Sequence, residues 1–344
     1  MRAAIQTGIH QVEVRDIAAP SVSDDTAIVT VAAAGICGSD LHPYHERVTA
    51  QDVPDGHEAA GVITFLPESY QGELTIGSRV AVDPIMGRAC GVCAICRAGQ
   101  AFHCPERPKT PRWGGAFAEQ YKMRPHGLFA LPANVTMEQG ALVEPFGIGV
   151  HAVRLARMVP GASVAIIGAG TIGLMTLIAA RGLGAGDIYV LARHDHQARL
   201  AAELGATVVI RSEGDAAIEE IRQLTNGVGV DLAMETVGGH GDTINQALDI
   251  ARRQGSVSIL GIFPSKMSID ILKASVREIT ATFPMCCGII DGRHDFEIAI
   301  KMIANGQAQV EKLVTHRYSL DAATAAFKTA ADKSTGSIKV QLTA

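Results

Sequence analysis

The feature that most constrains the fold is an alternation of buried strands and helices that begins at Ser163. The stretch SVAIIGAGTIGLMTLIAARGLGAGDIYVLARHDHQARLAAELGATVVI contains an apolar strand, a glycine turn, an apolar helix, a second strand and an amphipathic helix ending at Gly205. The alternation continues as helix, strand, helix and strand at 215–225, Val230–Glu235, 242–252 and Ser256–Gly261. Strands that alternate with helices pair in parallel. The sequence therefore predicts an α/β fold with a doubly wound parallel sheet of the Rossmann type.

Three glycines, Gly168, Gly170 and Gly173, form a G-x-G-x-x-G motif between the first strand and its helix, with Thr171 and Ile172 in the last gap. The first glycine permits a tight turn, the second lets a pyrophosphate approach the backbone, and the third lets helix and strand pack closely. The helix N-terminus adds free N–H groups and partial positive charge. The motif predicts dinucleotide binding; the alternative is a turn that merely tolerates glycine.

The second strand ends in the residues LARH, where proteins that bind NAD usually carry an acidic residue for the ribose 2′-hydroxyl. Ala192 offers neither that hydrogen bond nor repulsion of a phosphate, and the Arg193 guanidinium suits a 2′-phosphate. His194 or His196 could add donors. The segment therefore favours NADP over NAD. The alternative is that Arg193 is a solvated residue at the start of a helix that Asp195 caps.

Four cysteines, Cys90, Cys93, Cys96 and Cys104, occur in the run CGVCAICRAGQAFHC. Two C-x-x-C steps and a fourth thiol after a glycine turn match the four sulfur ligands of a closed tetrahedral zinc site. Such a zinc ion would be structural, because no position is left for water. A redox C-x-x-C or two disulfides are the alternatives. The N-terminus shows no signal-peptide pattern, so we expect a cytoplasmic protein with reduced thiols.

The ends of the chain follow a different pattern. Residues 1–150 contain short strands, IVTVAAAG, AGVITFL and SRVAVDP, separated by glycine and proline, which predict a β-rich, barrel-like domain. A length of 344 residues suits two domains. The net charge of −5, without a basic stretch, argues against nucleic acid and membrane partners. No charge-free apolar run reaches the length needed to span a membrane.

Cys37 and His57 lie on two glycine-bounded turns of this part, GICGSDLHPY and VPDGHEAAGV. A thiolate, an imidazole and the carboxylate of Glu144 would leave one position of a zinc ion open, as a catalytic zinc requires. Taken singly, Cys37 would more often be a small buried hydrophobe and His57 a loop residue. Their occurrence together with a nucleotide motif favours the metal.

In combination, these motifs resemble the zinc-dependent medium-chain dehydrogenase superfamily of alcohol, polyol and threonine dehydrogenases. The resemblance runs through GICGSDLH, GHEAAG, GSRVAVDP, the four-cysteine lobe, GGAFAEQYKM, VEP, GAGTIG and TGSIKVQL, and so covers essentially the whole chain. It implies a GroES-like catalytic domain of residues 1–150 and 286–344, with a zinc lobe at about 88–106, and a Rossmann domain of residues 151–285. It also implies a homodimer or homotetramer whose subunits pair near residues 280–290.

The resemblance also implies site residues and cofactors. The matched zinc-ligand and proton-relay positions are Cys37, His57, Glu144, Ser39 and His42. Glu58 matches a carboxylate that can enter or leave the zinc shell. Two zinc ions per subunit are implied, one catalytic and one structural, with NADP or NAD as the hydride carrier. The Glu144-Pro145 pair resembles the polyol and threonine dehydrogenase branch, whereas Ala192 departs from the acidic residue of members that use NAD.

The substrate pocket is the least constrained part of the resemblance. Its candidate residues are Tyr44, Trp113 and Phe283. Packing in the core or at a domain interface is an equal alternative for Tyr44 and Trp113. Few charged residues occur among the candidates, which favours a less polar secondary alcohol or ketone.

Three functions remain open on this sequence. The main hypothesis is a zinc-dependent, NADP-preferring oxidoreductase of secondary alcohols and ketones. The alternative within the family is an NAD-linked polyol or amino-alcohol dehydrogenase. The third is a non-catalytic zinc and nucleotide-binding protein on the same scaffold. This function predicts the loss of a catalytic zinc ligand, and the sequence contains all of them. A zinc-free quinone-reductase-like enzyme would have no use for Cys37 with His57.

Overall fold

The computed structural model describes residues 1–46, 52–107 and 114–344, which form two compact units. The first unit contains Met1–Glu144, Cys287–Gly306 and Val310–Ala344, and the second contains Pro145–Cys286 and Gln307–Gln309. The first boundary follows Glu144, six residues earlier than the predicted boundary after residue 150. The second boundary follows Cys286, one residue later than the predicted boundary after residue 285. One helix, Val143–Leu155, continues through the first boundary without a break, so no turn residue marks it in the sequence.

Seventeen strands and twelve α-helices are present in the described residues. The strands are β1 (Arg2–Gly8), β2 (Gln11–Asp16), β3 (Ala27–Gly35), β4 (Glu58–Phe65), β5 (Arg79–Val82), β6 (Gln120–Met123), β7 (Leu128–Ala130), β8 (Val164–Ile167), β9 (Ile188–Leu191), β10 (Val208–Ile210), β11 (Val230–Glu235), β12 (Ala251–Ile259), β13 (Thr280–Thr282), β14 (Ile289–Ile290), β15 (Arg293–His294), β16 (Val314–Ser319) and β17 (Lys339–Thr343). The helices are α1 (Gly38–Glu46), α2 (Pro84–Arg88), α3 (Ala94–Arg97), α4 (Met137–Ala141), α5 (Val143–Leu155), α6 (Thr171–Gly182), α7 (Asp195–Glu203), α8 (Gly214–Leu224), α9 (Thr243–Ile250), α10 (Ile271–Val276), α11 (Asp295–Ala304) and α12 (Ala323–Ala331). Within the described part of the chain, no helix has the length and apolar character needed to cross a bilayer.

The first unit is β-rich, and its main sheet has the strand order β16-β17-β3-β4-β5-β7, with β6 paired to the other end of β3. The three predicted short strands are β3, β4 and β5. The antiparallel pairing of β3 with β4 places Gly35 opposite Glu58. The antiparallel pairing of β17 with β3 places Gln341 opposite the same glycine. The turn after β3, the start of β4 and the start of β17 therefore meet at one end of the sheet. The hydrophobic core of this unit includes the buried residues Ile63 and Phe327.

The second unit contains the predicted parallel sheet, in the order β10-β9-β8-β11-β12-β13. Strand β11 has the predicted bounds, whereas β12 begins at Ala251, earlier than expected, because it follows α9 without a loop. From β8 the chain adds β9 and β10 on one side of that strand, and it then crosses to the other side of β8, where it adds β11, β12 and β13. Ligands of open α/β sheets bind in the crevice at such a switch point, beyond the carboxyl ends of the strands.

Candidate metal centre and cofactor site

Cys37, His57 and Glu58 come together in the first unit, and their ligand atoms lie within 4.8 Å of one another. Cys37 follows β3, while His57 and Glu58 lie at the start of β4, so the pairing of Gly35 with Glu58 sets this approach. A thiolate, an imidazole and a carboxylate are donors that zinc accepts in catalytic sites. The residue types and their spacing therefore fit a zinc ion.

Asp40 of α1 supports two members of this group. One of its carboxylate oxygens, Oδ2, accepts a hydrogen bond from the backbone N–H of Cys37 at 2.8 Å. The other, Oδ1, lies 3.5 Å from Nδ1 of His57. Burial lowers the pKa of His57, but the charges of Asp40 and Cys37 outweigh burial and raise it well above its ordinary value. A carboxylate on one ring nitrogen orients a histidine so that the other can ligate a metal. The sequence interpretation missed Asp40, although GICGSDLH contains it.

Glu58 also forms a buried ion pair with Lys339 of β17. The Lys339 ammonium donates to both Glu58 carboxylate oxygens, at 2.6 and 2.7 Å, and to the Ile36 carbonyl oxygen at 3.0 Å. Burial alone would lower the pKa of Lys339, but Glu58 and Cys37 raise it, so the amine stays charged. The sequence interpretation missed Lys339. The available signal was a lysine between the apolar residues Ile338 and Val340 in TGSIKVQL.

Glu144 lies in the first turn of α5, is buried, and is not one of the three residues grouped within 4.8 Å. Burial raises the pKa of its carboxyl to about 7, and the neighbouring charge of His57 opposes the shift. Its carbonyl oxygen accepts a hydrogen bond from Sγ of Cys287 at 3.8 Å. Glu144 is therefore a buried carboxyl group beside the three-residue group, and its role as a zinc ligand stays a prediction.

The predicted relay and pocket residues occupy different environments. Ser39 and His42 are both exposed on α1 and, three residues apart, share one face of the helix. Tyr44 is only 6% exposed, and its ring lies 5.5 Å from that of Phe327, so its contacts are those of a core residue. Phe283 is 63% exposed in the second unit, and Trp113 lies outside the described residues. Substrate contact by these aromatic residues stays a prediction.

The four cysteines of the lobe also form one group, with all four sulfur atoms within 4.8 Å of one another. The Sγ atoms of Cys90 and Cys96 are 3.9 Å apart, far from the roughly 2.05 Å of a disulfide. Backbone N–H groups lower the pKa of Cys90 to about 6, whereas burial raises that of Cys96 to about 12. At Gly99, whose φ is +79°, an added Cβ would lie 2.5 Å from Cβ of Ile289. The lobe offers four sulfur donors, which fits a closed zinc site.

The glycine motif of the second unit borders a cavity of about 680 Å³. Its lining includes Gly168, Gly170, Ala192, Arg193 and His194, at the ends of β8 and β9. This volume is within the range of about 300 to 1,000 Å³ that is usual for ligand sites. The cavity lies at the switch point of the sheet. Its lining contains both the glycine turn expected to bind the phosphates and the residues after β9 expected to bind the ribose.

The remaining three predicted cofactor residues belong to α6, which begins with Thr171 and Ile172. Gly173 is buried in the same turn, and an added Cβ there would lie 2.0 Å from the Gly168 carbonyl oxygen. Gly173 therefore permits the close approach of the helix to the glycine turn.

Charged side chains flank the ribose end of this cavity. Nε of Arg193 lies 3.5 Å from Oε1 of Glu213, and both side chains are mostly exposed. Nη2 of Arg211 lies 2.8 Å from Oδ1 of Asp195 and donates to the Arg193 carbonyl oxygen at 3.0 Å. Asp195 therefore pairs with an arginine, and the N-cap of α7 is His194, without a side-chain cap. The sequence interpretation missed Arg211 because it follows β10, a strand away from the LARH segment.

Comparisons with known proteins agree with both units. The alcohol dehydrogenase GroES-like domain matches residues 23–133, and the zinc-binding dehydrogenase domain matches residues 171–305. Sorbitol dehydrogenase of Bacillus subtilis is 35% identical over 93% of this chain and 91% of its own length. L-idonate 5-dehydrogenase of Vitis vinifera is 32% identical over 92% of this chain and 87% of its own length. A solved structure from Sinorhizobium meliloti 1021, described as a zinc-binding dehydrogenase bound to NADP, has a TM-score of 0.87 and 28% identity, covering 100% of this chain and 99% of that one.

These matches confirm the predicted family and the predicted combination of a GroES-like domain with a Rossmann domain. They support an oxidoreductase that uses zinc and a nicotinamide cofactor on a small molecule. The chain therefore belongs to the zinc-dependent medium-chain dehydrogenase superfamily and is an alcohol dehydrogenase of that superfamily.

Proposed function

We propose that the protein transfers a hydride between a secondary alcohol, or its ketone, and NADP. In this proposal Cys37, His57 and Glu144 hold a catalytic zinc ion with Glu58 beside it, and the four-cysteine lobe holds a structural one. The observation that carries the proposal is the convergence of the Cys37 thiol, the His57 imidazole and the Glu58 carboxylate within 4.8 Å at one end of the main sheet. A lone cysteine or histidine would not support it. Glu144 enters the proposal through the family resemblance and as a buried carboxyl group beside these three residues.

The chemistry divides between the cofactors and the chain. Zinc, when bound, polarises the substrate oxygen, and the nicotinamide carries the hydride. Asp40 fixes the orientation of His57 and the turn at Cys37 through the contacts described above. Ser39 relays the proton of the alcohol: its hydroxyl oxygen takes up that proton as its own hydroxyl proton moves through solvent towards the exposed His42, one turn along α1.

The substrate class draws support from the relatives. Their names, sorbitol dehydrogenase and L-idonate 5-dehydrogenase, favour a polyhydroxylated secondary alcohol over the less polar one that the sequence favours. We therefore propose the secondary hydroxyl group of a polyol as the first class to be tested, with simple ketones and secondary alcohols as the comparison.

The cofactor proposal depends on the ribose end of the cavity. Ala192 leaves room for a phosphate, Arg193 lines the cavity, and Arg211 neutralises the nearby carboxylate of Asp195. These features favour NADP. Glu213 also lines the cavity beside Arg193, and its carboxylate is an acceptor for ribose hydroxyl groups. This observation keeps the NAD-linked polyol dehydrogenase as a second candidate function.

The assembly and location are also part of the proposal. Strand β13 is an edge of the second unit's sheet as described, and α10 exposes Ile271, Leu272 and Val276. Phe283 and Met285, which follow β13, are exposed as well. We propose that a second copy of the chain covers these residues. All seven cysteines lie in the described residues and none of them forms a disulfide there, which suits a reducing cytoplasm.

The metal proposal is tested by counting zinc in purified variants by mass spectrometry. The unaltered protein is expected to hold two zinc ions per subunit. Cys37→Ala should lose one zinc ion and all turnover while keeping its unfolding temperature. Cys93→Ser is the matched control at the other site: it should lose the other zinc ion and unfold at a lower temperature, because the lobe loses a cross-link. Full turnover in Cys37→Ala would contradict the catalytic assignment.

The cofactor proposal is tested by titrating the protein with NADPH and with NADH and following nicotinamide fluorescence. We expect NADPH to bind about tenfold more tightly, a difference of about 1.4 kcal/mol. Arg193→Ala should remove that preference, whereas the exposed Arg199→Ala on α7 should not. Preference for NADH would select the second candidate function, and binding of neither nucleotide would contradict the cofactor proposal.

A further inference from the structure

The Glu58–Lys339 ion pair is almost completely buried, with side-chain exposures of 1% and 2%. The ammonium of Lys339 donates to both carboxylate oxygens of Glu58 and to the Ile36 carbonyl oxygen. A buried carboxylate that loses its cation is strongly disfavoured. Glu58 therefore has a cation partner that does not depend on any metal.

The same carboxylate belongs to the group that fits the catalytic metal. One Glu58 oxygen lies within 4.8 Å of the ligand atoms of Cys37 and His57. Two cations, the Lys339 ammonium and the metal, therefore share one carboxylate. Without Lys339, the Glu58 carboxylate would become a buried charge without a cation whenever it left the metal. Because that state is costly, Glu58 would stay bound to the metal.

Space for the carboxylate is provided by Gly35 of β3. A Cβ at this position would lie 2.0 Å from Oε2 of Glu58, so only glycine leaves the carboxylate its place over β3, where it reaches Lys339 of β17. The pairings of β3 with β4 and with β17 set this arrangement at one end of the sheet. The lysine, the glycine and the carboxylate come from three strands and form one built site.

We propose that Lys339 is a positioning residue that makes Glu58 a releasable ligand of the catalytic metal. Lys339 holds the carboxylate whenever Glu58 leaves the metal, which keeps one coordination position open to an incoming oxygen or nitrogen ligand. The inference rests on the proposed catalytic metal at Cys37 and His57 and concerns what controls access to it.

The test compares Lys339→Met, which removes the charge from a side chain of similar length, with Lys339→Arg, which keeps it. Lys122→Met is the matched control, because Lys122 is also buried but donates only to the Ser21 carbonyl oxygen. The first measurement is the rate at which zinc passes to an excess of chelator. The second uses protein loaded with Co²⁺ and follows its visible spectrum during titration with imidazole, a small neutral ligand for an open position.

We expect Lys339→Met to release zinc from this site about tenfold more slowly and to need about tenfold more imidazole, because Glu58 then occupies the metal about nine-tenths of the time. Lys339→Arg and Lys122→Met should match the unaltered protein. The double variant Lys339→Met with Glu58→Gln should release zinc at the rate of the unaltered protein and need as much imidazole as that protein. The glutamine amide is neutral, so the loss of the lysine does not hold it on the metal. If Lys339 only stabilised the local structure, Lys339→Met should instead release zinc faster than the unaltered protein, because its removal would loosen the site.

Faster or unchanged zinc release from a folded Lys339→Met protein overturns the inference. If that variant does not fold, Lys339→Gln decides: slower zinc release and a higher imidazole requirement than in Lys339→Arg support the inference, and values equal to those of Lys339→Arg overturn it. An unaltered protein that shows no Cys37-dependent Co²⁺ spectrum overturns the proposed metal site and the inference together. An unchanged Lys339→Met spectrum and imidazole requirement overturns the inference alone.

Discussion

The glycine motif allows one prediction in which two neighbouring substitutions separate cofactor binding from folding. At Gly170, the N-cap of α6, φ is −75° and an added Cβ would meet no other atom within 4 Å. Gly170→Ala should therefore keep the fold, within about 1 kcal/mol, since the alanine is a poorer N-cap but orders the unfolded chain. The new methyl group would instead occupy the space through which a pyrophosphate approaches the backbone.

Gly173→Ala is the contrasting variant. Its Cβ would lie 2.0 Å from the Gly168 carbonyl oxygen and 2.9 Å from Oγ1 of Thr236. The first contact is with backbone, which cannot rotate away, so α6 must move from the sheet. Overpacking of this kind costs about 1 to 3 kcal/mol, and a backbone clash belongs at the upper end, about 3 kcal/mol. For a chain of 344 residues, that corresponds to a fall in Tm of about 4 °C.

Thermal unfolding followed by circular dichroism and NADPH titration followed by fluorescence measure the two effects. Gly170→Ala should bind NADPH about 10 to 100 times more weakly at nearly unchanged Tm, from an obstruction of about 1.4 to 2.8 kcal/mol. Gly173→Ala should lose stability first. Tight NADPH binding by Gly170→Ala would refute the placement of the pyrophosphate, and an unchanged Tm for Gly173→Ala would refute the close approach of helix and turn.

Two further predictions concern the second unit. Asp231 joins β11 to Arg252 at 2.7 Å and accepts hydrogen bonds from Ser163; burial raises its pKa, but Arg252 and Ser163 outweigh burial and lower it. A lowered folded-state pKa adds stability above the unfolded value near 3.8 that is lost as the pH falls through the folded value. Asp231→Asn should therefore cost about 1 kcal/mol near pH 7, limited by solvent screening, and the difference in urea unfolding should shrink as the pH falls below 3.8. An equal difference at pH 7 and in acid would contradict the assignment. Leu272→Glu, on the exposed face of α10, should shift the protein to a smaller species in analytical ultracentrifugation, whereas the exposed Ile76→Glu in the first unit should not; an unchanged assembly would place the interface elsewhere.

The predictions that held were those based on local patterns. The parallel sheet of the second unit followed from alternating strand and helix periodicity, and β11 has the bounds that its apolar run indicated. The cysteine lobe was predictable because its ligands lie within one short run, so a few turns of backbone bring the sulfur atoms together. Cys37 and His57 lie 20 positions apart, and they were proposed as a pair from their glycine-bounded turns and their occurrence with the nucleotide motif, to which the family resemblance added support.

The features that the sequence did not reveal depend on pairing between distant strands. The partner of Glu58, Lys339, lies 281 residues away and becomes visible only when β3, β4 and β17 align. Arg211 reaches Asp195 from the next strand of the sheet, and Asp40 meets His57 across the gap between α1 and β4. The position of Glu144 outside the three-residue group was likewise not predictable, because it depends on how α5 begins.

The sequence by itself determined the two fold types, the glycine turn and the four-cysteine group, because each is written in residues that interact within a strand, a turn or a helix. Its motifs in combination indicated the family and named Cys37, His57 and Glu58 as candidates for the other group. Only the tertiary structure decided which charges face those groups. A buried charge is stable only beside a partner, and that partner can come from any strand that the sheet brings alongside. The carboxylate of Glu58 could thus be recognised from its motif, but the cation that holds it could be found only in the folded sheet.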